Sequence, residues 1–257
     1  MPLEIIGRVK YDLARPEHAY MLGFLLGDGH MYSGPGRKGR LAVELHIRDR
    51  DVLENLEPLL PGSRLSTRSR TTNFSKGEYQ TAVLSCARLE VRSALMAIGM
   101  PEGRKGASVR PPEVRYSLRD FARGMCDADG SLGLTGQGQP YVSLVTSSPA
   151  LADWWCAEVV PVSGVERSWK PNKRDGVANI MVAVEPAQRL AAWMYRPGDL
   201  ALERKARAAW QCRRGLGLRR CGGPTQRKGG RRRKTPSFGR IFRPLSWPTS
   251  WGGPFDR

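Results

Sequence analysis

Two stretches of this 257-residue chain constrain its fold more than any other: Met21–Gly29, MLGFLLGDG, and Ala122–Gly130, ARGMCDADG. Each is a short apolar helical stretch with a small residue inside, and each ends in Asp-Gly. Gly23, Asp28 and Gly29 recur as Gly124, Asp129 and Gly130 at a constant offset of 101. A helix C-terminus is the negative end of the helix dipole, so an acid placed there costs about 0.3–1 kcal/mol. One such ending reads as an ordinary glycine stop. Two at matching positions need a shared cause, and the flanking sequence supplies one.

The chain is a duplication. After the first motif come the loop HMYSGPGRKGR, the strand LAVELHIR and the helix DVLENLEPLL. After the second come SLGLTGQGQ, the strand PYVSLVTS and the helix PALADWWCAEVV, with Val43 and Leu45 recurring as Val142 and Leu144 at an offset of 99. SRLSTRSR with EYQTAVLS, and VERSWKPNKR with VANIMVAVE, read as hairpins around the polar turns TTNFSKG and NKRDG. Each half closes on a helix, RLEVRSALMAIG or PAQRLAAWMY, and then on a loop with a basic pair, Arg104-Lys105 or Arg204-Lys205. In the linker EGRKGASVRPPEVRY, Pro111-Pro112 forbids helix continuation, and a new helix is expected from Ser117 with Asp120 forming a weak capping box. The expected fold class is α+β, a pseudo-twofold pair of αββαββα units with antiparallel sheets. The expected boundaries are 1–110, 111–212 and a basic tail at 213–257.

Net charge is +18, which favours a polyanionic partner. The excess is uneven: residues 211–257 hold 13 Lys and Arg against one acid, Asp256. That tail is rich in Gly, Pro and Arg without periodicity, so disorder and sequence-independent phosphate attraction are expected of it. Cys86, Cys126, Cys156, Cys212 and Cys221 form no C-x-x-C pair, which suits a reduced compartment. The first residues show no signal peptide, and no apolar run approaches the ~20 residues of a membrane helix. A soluble, cytoplasmic protein is expected. His18, His30 and His46 lack metal-ligand spacing, so no zinc site is assigned.

With these motifs in order and at this spacing, residues 17–210 resemble the LAGLIDADG homing endonucleases of the single-chain, two-motif type. The resemblance implies two motif helices packed side by side through Gly23, Gly27, Gly124 and Ala128, flanked by saddle-shaped sheets that lie in the DNA major groove. It implies a monomeric endonuclease cutting one phosphodiester on each strand of a long, asymmetric site and leaving short 3′ overhangs. Asp28 and Asp129 are then the metal ligands, aided by the carbonyls of Gly27 and Ala128, with Mg²⁺ or Mn²⁺ as cofactor. Lys105 and Lys205 are the basic residues expected beside the two centres, catalytic with Asp28 and Asp129 by polarising water or steadying the developing charge, and Asp127 is expected to be structural. Arg48 is a further candidate. DNA contacts are expected from Arg37, Lys38, Arg40, Arg48, Arg64, Arg68, Arg70 and Lys76 in the first half. In the second they are expected from Gln137, Gln139, Arg167, Lys170, Lys173 and Arg174. Arg and Gln suit base edges and the others phosphates. The alternation in RLSTRSR puts Arg64, Arg68 and Arg70 on one strand face. The alternative is a descendant that binds without cutting: an RNA-splicing maturase, for which intron RNA is the partner, or a transcription regulator.

Overall fold

The computed structural model describes residues 9–32, 38–72, 75–103 and 105–214. Helix α1 (Pro16–Asp28) opens with Pro16, whose missing N–H costs nothing in a first turn, and is buried from His18 to Leu26. Strand β1 (Gly29–Tyr32) follows without a loop, then β2 (Arg40–His46), α2 (Arg50–Leu56), β3 (Arg64–Thr72), β4 (Ser75–Cys86) and α3 (Leu89–Ala97). Helix α4 (Leu118–Asp129) starts the second half and runs directly into β5 (Gly130–Leu134). It is followed by β6 (Pro140–Thr146), α5 (Pro149–Trp154), β7 (Ala178–Ala183), α6 (Glu185–Met194) and α7 (Glu203–Arg214). The fold is α+β, with two antiparallel sheets in the orders β1-β2-β4-β3 and β5-β6-β7.

The two motif helices pack directly against each other. A Cβ on Gly23 would lie 2.4 Å from the Phe121 carbonyl oxygen, and one on Gly124 would lie 2.2 Å from the Tyr20 carbonyl oxygen. Shifting the first contact by the repeat offset converts it into the second, as a twofold axis between α1 and α4 demands. Gly27 sits on that axis, where its Cβ would fall 2.2 Å from the Cβ of its own counterpart, Ala128. The close approach anticipated from these four small residues is present at all four.

Strand alternation buries one face of each sheet. Leu41 and Val43 of β2, and Ala82, Leu84 and Cys86 of β4, join the core, as do Val142 and Leu144 of β6 and Ala178, Ile180 and Val182 of β7. The opposite faces point away from it.

Four local expectations need correction. The segment VERSWKPNKR forms no strand, so the second sheet has three strands rather than four. Pro171 lacks an amide donor, and a bond from the Asn172 N–H to the Val177 carbonyl (2.9 Å) closes a turn there instead of starting a ladder. PALADWWCAEVV is not one helix: after Trp154 it widens into a π-helical turn, Trp155–Val159, and then a 3₁₀ turn, Val160–Ser163, containing Pro161. Arg204 and Lys205 lie in the first turn of α7, not in a loop. Ser117 does precede α4, but its hydroxyl bonds the Asp120 carboxylate instead of a backbone amide, so no capping box forms.

Candidate active site

Because α1 and α4 touch at Gly27 and Ala128, the acids one residue later are brought together. Asp129 Oδ2 lies 3.1 Å from where a Gly27 Cβ would stand. Burial raises the pKa of both carboxyls. For Asp28 the charge of Asp129 adds to burial, and the two together push it to about 6.

The electrostatic penalty posed by an acid at a helix end is met by two lysines. Lys105 Nζ donates to the carbonyls of Leu25 (3.1 Å), Leu26 (2.9 Å) and Gly27, at the end of α1. Lys205 Nζ donates to those of Cys126 (2.6 Å), Asp127 (2.6 Å) and Gly130 (2.9 Å), at the end of α4. Each ammonium satisfies carbonyls that a helix end leaves unpaired and offsets the dipole that the acid opposes. The two are not equivalent. Lys205 is buried, at 5% exposure. Lys105 is half-buried and lines a cleft of about 260 Å³ with Asp129, Gly27, Thr146 and Val177. Burial lowers the Lys105 pKa to about 8, against the pull of Asp129 and Asp28. Lys205 is lowered too, again chiefly by burial.

Asp127, two residues before Asp129, is fully buried. It accepts bonds from the Tyr20 hydroxyl, the Tyr195 hydroxyl and the Leu202 N–H, each at 2.7 Å. Its carboxylate ties α4 to α1 and to the chain entering α7, a structural part.

A divalent cation fits this donor set. Two carboxylates of raised proton affinity, Asp28 half-buried and Asp129 exposed, gain from a shared counter-charge, and Mg²⁺ needs only one or two carboxylates when water and phosphate fill its other positions. Among the described residues, no cluster of three or more His, Cys, Asp or Glu side chains exists. The Gly27 carbonyl already accepts from Lys105, whereas Lys205 bonds carbonyls on either side of Ala128 and passes over that of Ala128 itself.

The DNA-contact candidates divide unequally. The strand register puts Arg64 and Arg68 opposite Ser85 and Thr81, and Arg70 opposite Tyr79, on the outward face of the first sheet. Arg40 shares that face at the start of β2. Arg64, Arg68 and Arg70 are exposed, and Arg70 is held by both oxygens of Glu44, at 2.8 and 2.5 Å. Arg48 is exposed on the turn after β2, 3.8 Å from Asp49, and Lys38 is exposed just before β2. Arg37 and the side chain of Lys76 lie outside the described residues. The second-half candidates are not on strands: Gln137 and Gln139 lie in the β5–β6 turn, and Arg167, Lys170, Lys173 and Arg174 lie between α5 and β7, all exposed.

Sequence reasoning missed the link between Arg204 and Asp49, a residue of the first half, at 2.9 and 3.2 Å. Its sole trace was the basic pair Arg204-Lys205. Also missed was the tyrosine pair on Asp127, for which residues 107 and 68 positions apart left no local signal.

No protein-family model matches the chain, and no curated protein matches it. Among solved structures it is similar to the homing endonuclease I-WcaI bound to its DNA recognition sequence, with a TM-score of 0.57 and 12% identity over 77% of this chain and 87% of that one. Meganuclease I-SmaMI bound to uncleavable DNA gives 0.48 and 11% over 77% and 89%. The LAGLIDADG homing endonuclease I-LtrWI bound to target DNA gives 0.37 and 9% over 65% and 78%. At these identities the likeness is one of fold. Among the described residues, no helix is long and apolar enough to cross a membrane.

Proposed function

We propose that this protein is a site-specific double-stranded DNA endonuclease that hydrolyses one phosphodiester on each strand with a divalent metal. The observation that carries the reading is the meeting of Asp28 and Asp129 on interlocked helices, each acid directly followed by the first strand of a sheet. Such a pair is electrostatically costly unless it serves a cation, and a phosphodiester backbone is the substrate that shares one with it.

Asp28 and Asp129 would hold Mg²⁺ or Mn²⁺, with the Gly27 and Ala128 carbonyls beside them. When bound, the ion supplies a water of lowered pKa and neutralises charge building on the phosphate. The chain's own groups do the rest. Lys105 lines the cleft beside Asp129 and would meet a phosphate oxygen there by giving up one of its three carbonyl bonds, whereas Lys205 acts by holding the end of α4 in place. Arg40, Arg64, Arg68 and Arg70 present positive charge to a duplex laid on the first sheet. The four basic residues between α5 and β7 supply phosphate contacts at the edge of the second.

Asp28→Asn and Asp129→Asn should each lower double-strand cleavage of a selected target at least 100-fold, with DNA affinity unchanged within about threefold. Cleavage at the wild-type rate in both variants with Mg²⁺ present would refute the assignment. A second reading has one observation behind it: the lysines already counter-charge the helix ends, so the surface could bind nucleic acid without metal. Wild-type protein that binds its selected duplex but never cuts it would establish that reading instead.

A further inference from the structure

The two sheets present different chemistry on their outward faces. On the first, the strands carry Arg40, Arg64, Arg68 and Arg70, against one acid, Glu44. On the second, the register places Ser131, Tyr141, Ser143, Val145, Asn179 and Met181 outward, and no strand position there is charged. Met181 is 53% exposed and Val145 41%. They are not displaced core residues, since β7 alternates strictly and turns Ile180 and Val182 inward. The Tyr141 hydroxyl is within 3.1 Å of Ser131 Oγ, while Asn179 is exposed.

This face begins at Gly130, the residue after Asp129, just as the arginine-bearing face begins after Asp28. A duplex lying across both acids would therefore meet both faces. In the major groove, arginine pairs best with guanine and asparagine with adenine, while an apolar side chain discriminates through the 5-methyl group of thymine.

Resting on the DNA-binding part of the proposed function, we propose that the protein reads a chemically divided site. Guanines are selected opposite the first sheet. Thymine methyls and adenine are selected opposite the second, through Met181, Val145 and Asn179. Backbone charge for the second half-site comes from Arg167, Lys170, Lys173 and Arg174, off the strands.

The test is selection of bound duplexes from a random library by the full-length protein, followed by replacement of thymine with deoxyuridine in each half of the selected site. Arg68→Ala identifies the half facing the first sheet, as the one whose guanine preference it relaxes. In the other half, loss of each contacted methyl should weaken binding about fourfold. That penalty should vanish in a Met181→Ala/Val145→Ala variant, whose exposed positions leave folding intact. Deoxyuridine without effect, or a second half free of thymine and adenine bias, would overturn the inference while leaving DNA recognition standing. Enrichment of no duplex at all would overturn the parent reading, and this one with it.

Discussion

Asp127 and Asp129 are two positions apart on one helix and do opposite work. Asp127 has three donors and no solvent; Asp129 has a neighbouring acid and an open cleft. A similar buried arrangement lies at the start of α4, where Arg123, at 1% exposure, meets Asp120 at 2.7 Å and Asp199 at 3.1 Å, and lies 5.3 Å from the centre of the Tyr20 ring. Burial alone would raise the Asp120 pKa, but the Ser117 hydroxyl and the Arg123 charge outweigh it and hold the carboxyl below its ordinary value. A depressed folded pKa means that the ion pair contributes its full stability above the unfolded pKa of about 4, and loses it as pH falls through the folded value. Removing one partner leaves the guanidinium with Asp199 and part of its charge uncompensated. Asp120→Asn should therefore cost about 3 kcal/mol at pH 7, read as a lower urea midpoint. The gap from wild type should narrow steadily as pH falls from about 4 through the lower folded value. A gap that does not narrow at all on acidification below about pH 4 would place the effect in packing rather than charge.

Between elements, the contact that fixes the fold is backbone against backbone. At Gly124 a methyl group would meet the Tyr20 carbonyl oxygen at 2.2 Å and the Phe24 nitrogen at 2.8 Å, neither of which can swing aside as a side chain could. Gly124→Ala gains about 1 kcal/mol of helix propensity and must push α1 and α4 apart. A net loss of about 3 kcal/mol is expected, with a fall in Tm of roughly 10 °C. Gly136→Ala, where nothing lies within 4 Å, should leave Tm unchanged. This helix pair was legible in the sequence because small residues and Asp-Gly ends recur at one offset, and α1, α4 and most strands follow from it. Helix α7 was harder to read. Its inward positions, Lys205, Ala209 and Cys212, keep helical spacing with the buried Leu202 just before it, but a lysine occupies one of them and breaks the apolar pattern. The missing strand of the second sheet was misread because Val165, Trp169 and their polar neighbours alternate, while Pro171 costs the ladder a donor. The lysine–carbonyl contacts at the site span 75–80 residues, and no local pattern encodes such a distance.

Across the whole chain, charge is divided by role. Residues 215–257 contain 11 Lys and Arg and one acid, so most of the +18 is carried by the sequence that follows α7. Charge of that kind binds phosphates without regard to sequence, through counterion release, and its signature is the slope of affinity against salt. Specific recognition should depend instead on the arginines of the first sheet and the face of the second. Truncation after Arg214 leaves α7 whole, with Cys212 still buried and Arg213 still donating to the Ala192 carbonyl at 2.8 Å. The shortened protein should melt within about 2 °C of the full chain, since it loses no core residue among those described. Its affinity for random duplex should drop, and the slope of log K against log salt should shrink by about 0.9 for each phosphate that the tail no longer neutralises. Discrimination between the selected target and random DNA should stay the same, because charge that strengthens both complexes by similar amounts cancels in their ratio. Filter binding at several salt concentrations measures affinity, slope and discrimination together, and an unchanged slope would show that the tail does not touch the nucleic acid.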